Sequence, residues 1–132
     1  MPAPYTYIVE HLDPEFEAWQ SLEYATISRE CTASGQASFT LSGLQQEAVD
    51  KAPAWWRESM GAHWTSRNVE DLVAERYGSY EEGKKRVCLL DPKAERDLGP
   101  EDGEGFDVFV FGGILGDDPP RGWCFRFGRW GR

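Results

Sequence analysis

The chain has 132 residues, 40% hydrophobic and 28% charged, enough for one domain with a hydrophobic core and too apolar for a disordered segment. Its 23 acidic residues against 14 basic ones leave a net charge of −9, which disfavours nucleic acid as the main ligand and favours basic proteins or peptides. No apolar run is long enough to span a bilayer, the start lacks a signal peptide's regions, and the 3 cysteines show no close pair or zinc spacing. A reduced, cytoplasmic protein with no membrane contact and no structural metal is expected.

Tyr5 to Leu12, rich in β-branched and aromatic residues, predicts a first strand. Asp13 then reads as an N-cap, with Pro14 at the first helical position and Glu15 and Glu17 in the first turn. Phe16, Trp19, Leu22, Tyr24, Ala25 and Ile27 supply a broad apolar stripe for that helix, which stops near Ser34-Gly35. Ala37 to Leu41 is a short second strand. Leu44 to Trp56 reads as helix broken by Pro53, and Trp55-Trp56 as aromatic core filling rather than a base-stacking platform.

His63 to Ser66 predicts a brief strand, Val69 to Tyr77 a short helix, and Gly78 to Lys85 a polar surface loop. Arg86 to Asp91 is a core strand stopped by Pro92, with Cys88 a buried thiol. Lys93 to Gly105, with five acidic residues, reads as solvated connection. Phe106 to Phe111 is almost wholly apolar, as expected of a strand covered on both faces in a parallel sheet. It runs into a turn containing Gly112, Gly113 and Gly116 that closes on Asp117.

Ligands of such sheets bind beyond the carboxyl ends of the strands. If the strands are parallel, Glu10-His11, Asp91 and the Gly112–Asp117 loop gather along one edge. Carboxylates there can hydrogen-bond a ribose, hold a cation or accept a proton. Each, taken singly, can also be an ordinary strand-end cap or turn residue.

Four segments carry a resemblance. Residues 7–11 (Tyr7-Ile8-Val9-Glu10-His11), Leu22-Glu23-Tyr24, residues 87–92 and the run Phe109 to Arg121 resemble, in order, the SPOUT-class methyltransferase family whose eukaryotic member methylates an arginine of a small-subunit ribosomal protein. The resemblance implies an α/β fold, a mainly parallel sheet flanked by helices, with a C-terminal trefoil knot. It implies S-adenosylmethionine as cofactor, held against backbone amides of loops that include Phe111, Gly112, Gly113, Ile114, Leu115, Gly116 and Asp117. A basic ribosomal small-subunit protein is the implied substrate. By position on the sheet edge, Glu10 and Asp117 are the expected catalytic carboxylates, with His11 and Asp91 behind them. An RNA methyltransferase and a non-catalytic acidic module for a basic partner are the alternatives.

After Arg121 the resemblance stops, which divides the chain into residues 1–121 and a tail of residues 122–132. That tail has no acidic residue and is rich in arginine, glycine and aromatic residues. It is read as a read-through or mis-spliced end in place of the rest of the knot, with an RNA-binding arginine/glycine tail as the alternative. Three expectations follow: an incomplete knot segment, little affinity for S-adenosylmethionine, and open apolar surface around Phe109 and Phe111 that favours self-association.

Overall fold

Four short strands rich in Val, Leu, Phe and Tyr align side by side in a computed structural model that describes residues 5–11, 15–90 and 102–112. They are β1 (Tyr5–Glu10), β2 (Ala37–Ser42), β3 (Val87–Leu90) and β4 (Val108–Gly112), in the order β2-β1-β4-β3. Every pairing is parallel, with Glu10 opposite Ser42 on one side and Gly112 on the other. The sheet is therefore parallel as expected, and β4, which ends at Gly112, is a central strand.

Alternation along the strands builds two cores. Ile8, Val87, Leu89, Val108 and Val110 face α4 (Val69–Tyr77), where they pack on Val69 and Val73. Val9, Phe39 and Leu41 face α1 (Ala18–Ser34) and α3 (Ala54–Met60), where they meet Tyr24, Ala25, Trp56 and Met60. The double cover explains the lack of polar alternation. Cys88 is fully buried.

Helix α4 occupies the expected span, capped by the Asn68 side chain, which accepts from Asp71 N–H at 2.9 Å. Pro53 separates α3 from α2 (Gln46–Lys51) as expected, since proline breaks a helix interior. The brief strand expected at His63 to Ser66 reduces to an isolated parallel bridge from Trp64 to Leu41. Of the tryptophan pair, Trp56 is fully buried and Trp55 is exposed, so core filling describes one of the two.

Three expectations change. Helix α1 starts at Ala18 rather than beside Pro14, because Glu17 N–H donates to Gln20 Oε1 at 2.6 Å in a capping box that sets the first turn later. Its stripe also differs, since Trp19 and Leu22 are exposed while Gln20, Ser21 and Ser28 are buried with Tyr24 and Ala25. The stretch expected as a polar loop forms α5 (Tyr80–Gly83) and a 3-10 turn (Lys84–Arg86), started by Ser79 Oγ accepting from Glu82 N–H at 3.1 Å. A last turn, α6 (Asp102–Gly105), falls within the expected acidic connection.

The amino edge of the sheet is tied by charge. Asp107 takes two hydrogen bonds from the Arg86 guanidinium, at 2.9 and 3.0 Å, and one from the Tyr77 hydroxyl at 3.3 Å. The Arg86 bonds hold the Asp107 carboxyl below its ordinary range despite partial desolvation. Phe109, expected at an open surface, is buried against the rings of Tyr5, Tyr7 and Phe106, and Phe111 is half-buried. The aromatic residues of β1 and β4 cover one another, which the chain order alone does not show.

Candidate active site

Parallel register places the ends of β2, β1 and β4 in a row, so that Ser42, Glu10 and Gly112 lie side by side. Two of the four expected catalytic residues, Glu10 and His11, stand on this row. Asp91 and Asp117 lie outside the described residues, as do Gly113, Ile114, Leu115 and Gly116. Phe111 and Gly112 close β4, with the Phe111 ring edge-on to Tyr7 at 5.9 Å.

Glu10 is 3% exposed, and its Oε1 accepts the Val69 N–H, the first of α4, at 2.7 Å. A carboxylate there complements the positive end of the helix dipole and satisfies a donor that the helix leaves over. Glu10 thus performs the capping role left open for a strand-end carboxylate.

His11 is also buried. Its Nε2 lies 2.8 Å from the Glu15 carbonyl and its Nδ1 2.9 Å from the Tyr24 hydroxyl. A carbonyl only accepts, so Nε2 carries a proton, and in the neutral ring Nδ1 accepts from Tyr24. Phe16 and Tyr24 pack edge-on to the same ring at 5.6 and 5.7 Å. The imidazole is held in one orientation, bridging the β1 end to α1.

Beyond His11 opens a cleft of about 740 Å³, bounded by the start of α1 and by the β2–α2 turn. Its walls carry Glu17, Ser21, Gly43, Leu44, Glu47 and Lys51. Gly43 sits at φ 73° with its backbone N–H bonded to the Arg67 carbonyl at 2.9 Å. A Cβ there would meet the His11 carbonyl at 3.1 Å and Glu10 Cγ at 3.3 Å. Only glycine fits both the turn and the close approach of the two strand ends.

A second hollow of about 310 Å³ lies between α1 and the sheet, lined by Tyr7, Val9, Glu23, Tyr24, Ile27, Phe39 and Phe111. Sequence reasoning did not single out Ser42, Gly43, Tyr24 or Glu17 for this edge. The Ser42-Gly43 step after a short strand was the available signal, and the buried Ser42 hydroxyl has no hydrogen-bond partner among the described residues.

The model of the "Protein arginine N-methyltransferase SFM1-like" family matches residues 6–127, running past Arg121. The protein arginine N-methyltransferase SFM1 of Saccharomyces cerevisiae is 43% identical over 116 residues, covering 87% of this chain and 53% of the yeast protein. The crystal structure of the yeast enzyme complexed with SAM superimposes with a TM-score of 0.69 at 39% identity, over 96% of this chain and 55% of that one. The complex with SAH gives 0.67 at 40% identity, over 92% and 56%. A Trm10 structure from Thermococcus kodakaraensis, 18% identical, shares the fold with a TM-score of 0.58, over 95% of this chain and 68% of that one. The chain spans about half the length of the yeast enzyme. With the family model covering most of its residues and the sheet edge lying inside the match, the chain belongs to the SFM1-like protein arginine N-methyltransferase family.

Proposed function

We propose that the protein takes part in S-adenosylmethionine-dependent methyl transfer to an arginine side chain of a basic protein, with a ribosomal small-subunit protein as substrate. One observation carries the reading: the family match includes the whole carboxyl edge, where the glycine loop leaves the central strand β4 beside Glu10. The yeast relative's structures with SAM, SAH and MTA support the cofactor. The −9 charge supports a basic partner over RNA. The 3 cysteines, odd in number and without a close pair in the sequence, support a reducing, cytoplasmic setting.

The described residues fit such a cofactor, and the family match through residue 127 supports binding over the little affinity expected from a divergent tail. A cleft of about 740 Å³ at the carboxyl edge has the size of a small-molecule site, and Glu17 and Glu47 on its walls suit cationic groups. When bound, S-adenosylmethionine supplies an electrophilic methyl group on a sulfonium. The loop from Phe111 to Asp117 is proposed to hold it through main-chain amides, since Gly112, Gly113 and Gly116 leave the backbone open to close approach.

Attack by a guanidinium nitrogen forms the new N–C bond as the S–C bond breaks, and the nitrogen then loses a proton. Asp117 is proposed to orient the guanidinium and accept that proton, with Asp91 in a supporting role. Glu10 and His11 are proposed to act through position: Glu10 fixes α4 against the strand end, and His11 fixes α1 beside the cleft. Holding two reactants at attacking distance is the main demand of an in-line displacement. Asp117→Asn lowers turnover by about 10²-fold or more on this reading. Unchanged turnover with an arginine-containing protein substrate rules Asp117 out.

A further inference from the structure

Helix α1 mixes polar and apolar residues on both faces. Gln20, Ser21 and Ser28 are buried with Tyr24 and Ala25, while Trp19 and Leu22 are 44% and 58% exposed. Single exposed apolar residues need no explanation, but Trp19 shares a helix stripe with two residues that wall a concavity. Trp19, Glu23 and Ile27 recur every four residues and share one stripe of the helix, with Glu30 one turn further. Glu23 and Ile27 also wall the hollow of about 310 Å³ whose other sides include Tyr7, Phe39 and Phe111. Among the described residues, Glu23 makes no hydrogen bond or ion pair.

We propose that this stripe and hollow dock a basic, extended segment of the protein substrate. Its cationic side chains lie along Glu23 and Glu30, and one apolar side chain enters the hollow. Charge argues for this occupant, because a second copy of the chain related by a two-fold axis would set Glu23 and Glu30 against like charges. The place argues for it too, since Phe111 directly precedes Gly112 and a segment seated there lies beside the start of the glycine loop. The inference rests on the reading that the substrate is a basic protein, and gives that substrate a place on the surface.

Fluorescence anisotropy with a labelled arginine-glycine peptide carrying one central leucine tests it, at low salt and without S-adenosylmethionine. The double variant Glu23→Lys, Glu30→Lys is expected to weaken binding about tenfold or more. Glu58→Lys with Glu104→Lys, an equal charge change elsewhere on the exposed surface, is expected to weaken it by about threefold or less. A peptide with serine in place of leucine binds several-fold more weakly. Equal losses in the two double variants, or equal binding of the two peptides, overturn the proposal. So does self-association of the chain that the Glu23→Lys, Glu30→Lys variant abolishes, which makes a second copy the occupant. Because no cofactor is present, failure here leaves the methyl-transfer reading standing, and loss of methyl transfer with peptide binding intact counts only against that reading.

Discussion

Glu10 and Val69, 59 residues apart in the chain, meet through a 2.7 Å hydrogen bond from the Val69 N–H to the Glu10 carboxylate. The bond joins the end of a central strand to the start of α4, the helix that covers one face of the sheet. Because both groups are buried, the effect of removing either is large. Glu10→Ala leaves the helix donor unsatisfied and is expected to cost about 1–3 kcal/mol in urea unfolding. Glu10→Gln keeps an acceptor oxygen and is expected to lose less. Equal losses in the two variants would refute the capping role.

The His11–Tyr24 bond gives a second prediction. Tyr24→Phe keeps the ring contacts with Phe16 and His11 but removes the hydroxyl, and is expected to cost about 1 kcal/mol. The His11 ring should then lose its single orientation, read by NMR as weakened nuclear Overhauser contacts between that ring and Phe16. Unchanged contacts would show that Tyr24 does not hold the ring.

Gly83 packs under α4. A Cβ there would fall 2.8 Å from Tyr77 Cδ2 and closer still to a methyl of Val73. Alanine favours a helix over glycine by about 1 kcal/mol, but overpacking costs about 1–3 kcal/mol. Gly83→Ala is therefore expected to lower the melting temperature on balance. A raised melting temperature would mean that α5 gives way without cost.

Acid sensitivity should trace in part to Asp107. Its folded-state pKa is depressed, chiefly by the hydrogen bonds from Arg86, so its stabilising effect is present above the unfolded value of 3.8 and is lost as pH falls through the folded value. Both side chains are substantially exposed, so the effect is small and screened by salt. In urea titrations between neutral pH and pH 3, Asp107→Asn is expected to flatten this part of the acid decline. A variant that declines as steeply as the parent would assign the acid sensitivity elsewhere.

Much of the sheet was legible because its strands are short runs of Val, Leu, Phe and Tyr bounded by turn residues, and α4 because Asn68 caps a regular apolar pattern. Helix α1 was legible in kind but not in orientation. Counting apolar residues favoured Trp19 and Leu22, whereas Ser21, Ala25 and Ser28 are the small side chains that are buried. The spacing of small residues was the signal, and it competes with a stronger apolar one. At its start, Asp13-Pro14 offered a local cap that the Glu17–Gln20 box displaced.

The carboxyl edge was legible as an edge, since three of the four expected strands ran into a carboxylate or a glycine. What those residues bond to was not. Val69 and Tyr24 are remote in sequence from the strand end they hold, and no local pattern in the chain points from one to the other. The resemblance supplied the chemistry, and the register supplied the place where it is proposed to occur.

Incubation with radiolabelled S-adenosylmethionine, a basic small-subunit ribosomal protein and ribosomal RNA together tests the central reading most directly. The label is expected in the protein, recovered after hydrolysis as methylarginine, and is expected to fall by about 10²-fold or more in Asp117→Asn. Label recovered in the RNA, or in neither acceptor, would contradict it.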